Sequence, residues 1–109
     1  NTNLNVNKSL NNIKYYRKTT ETHIYLYCEL PGISKEHCKL NYNDQVLSLS
    51  CSISENKDEW SFVKNKEYRL SVTIGLTDLK SINAKFINGI LKIIITKKVS
   101  SYESNIEID

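Results

Sequence analysis

The stretch Leu47-Ser48-Leu49-Ser50-Cys51-Ser52-Ile53-Ser54 alternates apolar and polar side chains at every step. Successive side chains of an extended strand point to opposite faces, so this pattern wets one face and buries the other. The same period of two extends outward in both directions. Upstream, Ile24, Leu26, Cys28 and Leu30 alternate with Tyr25, Tyr27 and Glu29, and Cys38, Leu40 and Tyr42 alternate with Lys39 and Asn41. Downstream, Tyr68, Leu70, Val72 and Ile74 alternate with Arg69, Ser71 and Thr73, followed by Ile82, Ala84, Phe86 and then Leu91, Ile93, Ile95. No window carries a helical stripe. The breaks have turn chemistry: Pro31-Gly32, Asn43-Asp44 and Asn88-Gly89. Asn-Gly is the strongest of these, because a type I′ hairpin turn needs positive φ at both central residues. About seven or eight short antiparallel strands at this spacing predict an all-β, immunoglobulin-like sandwich, with a barrel as the structural alternative.

The totals narrow the function classes. A chain of 109 residues is one small domain with flanking tail. The net charge of +3 comes from scattered lysines and not from a basic run, which argues against nucleic-acid binding. No segment is long and apolar enough for a membrane span, so no membrane partner is expected. Three cysteines, Cys28, Cys38 and Cys51, make an odd count without close spacing. That fits free thiols in a reducing compartment, the cytoplasm, better than a disulfide framework. All three fall on the apolar phase of their strands, where buried, inert thiols are expected. Methionine is absent even at position 1, which predicts that further chain precedes this one.

Residues 1–12, "NTNLNVNKSLNN", are asparagine-rich and read as an arm or linker. The sandwich is expected over residues 13–98 and a flexible tail over 99–109. Residues 54–67, "SENKDEWSFVKNKE", read as a long charged loop that nevertheless holds Trp60, Phe62 and Val63. A polar loop with a tryptophan docks somewhere.

Catalytic chemistry finds no footing. The three glycines, Gly32, Gly75 and Gly89, are isolated, so no phosphate-cradling loop exists and no nucleotide cofactor or small-molecule substrate is expected. His37 precedes Cys38, but neighbouring strand residues face opposite sides and no further Cys or His stands at ligand spacing, so no metal is expected. No pair of acidic residues is phased to act as acid and base. The function is expected to lie in surfaces, not in an enzyme site.

Two motifs add up to a family. "ELPGISKEHCKL", Glu29 to Leu40, resembles the Leu-Pro-Gly turn and following strand of small heat shock proteins. "AKFINGILKI", Ala84 to Ile93, resembles their Ala-x-x-x-Asn-Gly-x-Leu signature. In order and separation they suit an α-crystallin domain over residues 13–98. Ile106-Glu107-Ile108 in the terminal "SNIEID" is similar to the family's Ile-x-Ile motif. The resemblance implies an ATP-independent holdase chaperone that binds unfolded or misfolded clients, dimerises, and forms higher oligomers as a full-length chain. It implies that Ile106 and Ile108 dock on another copy, in a groove lined by Leu40, Tyr42, Ile82, Ala84 and Phe86. "DEWSFVKNKEY" resembles the long-loop class of the family, whose loop crosses to pair with a partner. The dimer loop then carries Trp60, Phe62 and Val63, and the partner's receiving strand lies near Ile13–Arg17. Two departures stand out: Leu70 occupies the place of a family arginine, with Arg69 facing the opposite side, and Gly75 replaces a strand-closing proline. The rival readings are a co-chaperone sandwich that docks on a large ATP-dependent chaperone, which lacks the Asn-Gly hairpin and Ile-x-Ile pair, and a plain adhesion sandwich, expected to hold paired cysteines.

Overall fold

The computed structural model describes residues 6–57 and 62–98. Eight strands follow one another: β1 (Val6–Asn12), β2 (Lys14–Thr19), β3 (His23–Glu29), β4 (Cys38–Asn43), β5 (Val46–Lys57), β6 (Phe62–Thr73), β7 (Leu79–Ile87) and β8 (Ile90–Lys97), with one 3-10 turn, Lys35–His37. They form two four-stranded sheets, ordered β1-β6-β5-β4 and β2-β3-β8-β7. All pairings are antiparallel except β1 with β6, which is parallel. The expected sandwich is therefore the fold.

The period of two becomes burial. Ile24, Leu26 and Cys28 of β3, Leu47, Leu49 and Cys51 of β5, and Leu91, Ile93 and Ile95 of β8 form one core with Val72, Ile74 and the loop residues Leu30 and Ile33. Fully burying each such aliphatic side chain is worth roughly 1.5–3 kcal/mol. No polar residue is buried among the described residues, so the core carries no desolvated hydrogen-bonding side chain.

Turn chemistry sets the hairpin registers. Asn88 (φ 50°) and Gly89 (φ 78°) make the tight β7–β8 turn and bring Phe86 opposite Leu91 and Ala84 opposite Ile93. Gly89 also accepts the Leu30 N–H at 2.8 Å and lies so close to Pro31 that an added Cβ would meet its Cα at 3.3 Å. Between β4 and β5 the two positive-φ residues are Asp44 and Gln45, so Asn43 belongs to the strand and the turn falls one residue later than Asn43-Asp44 suggests.

Two segments differ from expectation. Residues 6–12, read as part of an arm, form β1 and pair with β6 from Val6↔Val63 to Asn12↔Arg69. Most of residues 54–67, read as a loop, is ladder: β5 runs to Lys57 and β6 starts at Phe62, with Ser54 opposite Asn65 and Lys57 opposite Phe62. Main-chain hydrogen bonds need no apolar–polar alternation, so a mostly polar extension of a strand leaves no hydrophobic period to read.

Candidate docking groove

β4 is the edge of one sheet and β7 the edge of the other. An apolar cavity of about 180 Å³ opens between them. Leu40 of β4 and Ala84 and Phe86 of β7 line it, backed by Leu49 and Leu91. Leu49 and Leu91 are the cross-strand partners of Leu40 and Phe86 and belong to the core, so the groove floor is the core itself. Cys38 and Lys35 complete the lining, and Lys35 is its one charged residue. Such a volume takes one or two aliphatic side chains and is smaller than the roughly 300–1,000 Å³ of drug-sized ligand sites.

The structure brings three of the five groove residues together. Leu40, Ala84 and Phe86 share this cavity. Tyr42, one pleat further along β4, borders a second concavity with Leu76 and Thr77, and its hydroxyl donates to the Leu76 carbonyl. Ile82 packs half-buried against the core opposite Ile95. Neither lines the cavity that holds the other three. Leu49 and Leu91 were missed by strand phase alone, because phase names a face and not a neighbour. The Asn88-Gly89 hairpin could have supplied Leu91: counting back from a two-residue turn pairs it with Phe86.

Ile106, Ile108 and Trp60 lie outside the described residues. The backbone of Phe62 and Val63 belongs to β6, where Val63 is flanked by Asn56 on β5 and Val6 on β1.

The cysteines differ from one another. Cys28 and Cys51 are buried, and burial pushes their thiols up to about 11 and about 12. Cys38 is half-buried at the groove, against the expectation that all three lie in the core, because an edge strand is covered on one side only. His37 is exposed, and the described residues hold no group of three or more potential metal ligands. No helix among them is long and apolar enough to cross a membrane.

The opposite edge is built differently. All six residues of β2 are exposed. Tyr15, Arg17 and Thr19 stand opposite the buried Cys28, Leu26 and Ile24, so they share the inward phase, yet all three are exposed. Arg17 reaches across instead and donates to the Thr73 carbonyl at the end of β6, at 2.9 Å. On the outer face of this sheet, Tyr16 and Tyr27 pair directly, and Lys92 stands 5.7 Å from the Tyr27 ring centre.

Known proteins are similar to this chain in sequence and in fold. The model of the Hsp20/alpha crystallin family matches residues 16–109. The 18 kDa heat shock protein of Clostridium acetobutylicum is 32% identical over 89 residues, covering 74% of this chain and 59% of that one. Small heat shock protein C2 of Rickettsia felis is 33% identical over 101 residues, covering 82% and 62%. Among solved structures, heat shock protein 16.0 from Schizosaccharomyces pombe superposes with a TM-score of 0.67 at 25% identity, over 90% of this chain and 76% of that one. The chain spans about three fifths of the length of these two curated relatives. The sandwich, its Pro-Gly and Asn-Gly turns and a family match that runs from β2 to the last residue agree: the chain belongs to the Hsp20/alpha crystallin family, the small heat shock proteins.

Proposed function

We propose that the protein is an ATP-independent holdase that binds partly unfolded chains and keeps them from aggregating, in a reducing compartment such as the cytoplasm. The observation that carries this is the open apolar groove between two edge strands. It offers apolar pockets to an extended segment, the form in which an unfolded chain presents its side chains. Among the described residues nothing resembles a phosphate-binding loop or metal cluster that would couple binding to nucleotide hydrolysis. The test follows aggregation of a heat-labile client with and without ATP and magnesium. Suppression in both is expected; a strict need for ATP in the purified protein overturns the reading.

Assembly follows from the same edges. Ile106 and Ile108 dock, extended, into the groove of another copy, while Glu107 faces water. Each buried isoleucine contributes about 1.5–3 kcal/mol, and ordering the tail costs about 1–2 kcal/mol per residue. One contact is therefore weak and reversible, and a closed assembly holds through effective concentration. The dimer forms through the β5–β6 hairpin and the partner's β2, whose residues are all exposed in the single chain. β1 holds the outer edge of β6 here, so the partner strand takes that ladder position in its place. Replacing residues 58–63 by a Gly-Ser linker is expected to give a monomer by light scattering; an unchanged dimer rules out this hairpin.

A further inference from the structure

Cys38 and Cys51 stand directly opposite each other on β4 and β5, with their Sγ atoms 2.9 Å apart. Their strands are already in register, so joining the two sulfurs needs only a small closing of the pair. One member is reachable and one is not. Cys38 lines the groove beside Lys35, and its Sγ lies 3.6 Å from the Ser34 carbonyl. Cys51 lies beneath it, 1% exposed.

We propose that Cys38 and Cys51 are a redox-active dithiol that a hydroperoxide entering the groove converts to a disulfide within one chain. The Cys38 sulfur attacks the peroxide oxygen, the O–O bond breaks, and the thiol proton leaves with the departing oxygen as alcohol or water. Cys38 is then a sulfenic acid. The Cys51 sulfur attacks the Cys38 sulfur, the S–O bond breaks, and the Cys51 proton leaves with the hydroxyl as water. Two thiols lose two electrons and one hydroperoxide gains them. Cys51 is a poor first nucleophile, since burial pushes its thiol up to about 12. It reacts because the sulfenic sulfur forms in contact with it. Cys28 is buried on β3 of the other sheet and takes no part. The cross-link ties down β4, an edge strand whose only ladder partner among the described residues is β5. The proposal rests on the β4–β5 register and the open side of Cys38, and holds whichever chain fills the groove.

The experiment treats the reduced full chain with equimolar hydrogen peroxide, then alkylates, counts thiols and maps peptides. Two of the three thiols are expected to be lost, with a Cys38–Cys51 linked peptide, no covalent dimer, and full recovery in dithiothreitol. Amide exchange across β4 is expected to slow in the oxidised form. Cys51→Ser is expected to stop at the sulfenic acid, which dimedone traps on Cys38, and Cys38→Ser to leave Cys51 reduced. The wild-type peptide map stands alone if either variant folds poorly. Links between Cys38 residues of two chains, oxidation of Cys28 at the same rate, or three unchanged thiols each overturn the proposal.

Discussion

The two open sides of the sandwich have the same strand period and opposite fates. Along β4 and β7 the inward side chains Leu40, Ile82 and Phe86 are half-buried, and a cavity floored by the core runs between the edges. Along β2 the inward side chains are exposed, Tyr15 at 38%, although their partners on β3 are buried. The sheets close over one another at the first edge and β2 overhangs at the second. An edge that is nearly closed offers pockets for side chains, whereas an overhanging strand offers backbone donors and acceptors for another strand. The first suits a short apolar tail and the second a partner's hairpin.

The sharpest way to break this comparison is to fill the pockets. Ala84→Leu puts a larger side chain between β4 and β7, where Ala84 lines the groove. A peptide spanning Ser104–Asp109 is expected to bind more weakly by about 1.5–3 kcal/mol, the worth of one buried isoleucine, with thermal stability unchanged. Titration of amide signals of Leu40 and Phe86 in a tail-deleted domain reads this; undiminished peptide binding removes the groove assignment. Next in size is Gly89→Ala. Positive φ and the approach to Pro31 make alanine strained there, with a loss of about 2 kcal/mol. Urea unfolding measures it, and a neutral result means that this turn does not set the groove wall. The smallest effect belongs to the overhanging edge. Arg17→Ala loses the exposed bond to Thr73 and is expected to cost about 0.5–1.5 kcal/mol. If it costs as much as Gly89→Ala, β2 is held to the other sheet more firmly than an overhang allows.

What was legible varied along the chain for physical reasons. The β7–β8 hairpin could be read to the residue, because Asn88-Gly89 fixes a two-residue turn and the apolar phase on both sides agrees with it. The β5–β6 extension and β1 could not. Their few apolar residues, Val6, Leu10, Phe62 and Val63, fall into no apolar–polar alternation, and their pairing is a main-chain matter that no side-chain period announces. The groove fell between these cases. The family resemblance points to its two strands and phase picks Leu40, Ala84 and Phe86 on them, but phase does not tell how far along an edge the two sheets stay close, so it sets Tyr42 beside them although Tyr42 is tied to Leu76.

From the sequence by itself, the strand phases, the Pro-Gly and Asn-Gly turns and the family all follow, because each depends on residues close together in the chain. Only the tertiary structure decided which edge is nearly closed and which overhangs, that β1 adds to β6 in parallel, and that Cys38, lining the groove, meets the buried Cys51. Those facts depend on how two sheets are offset across a shared core, and an alternating pattern along one strand holds no record of that offset.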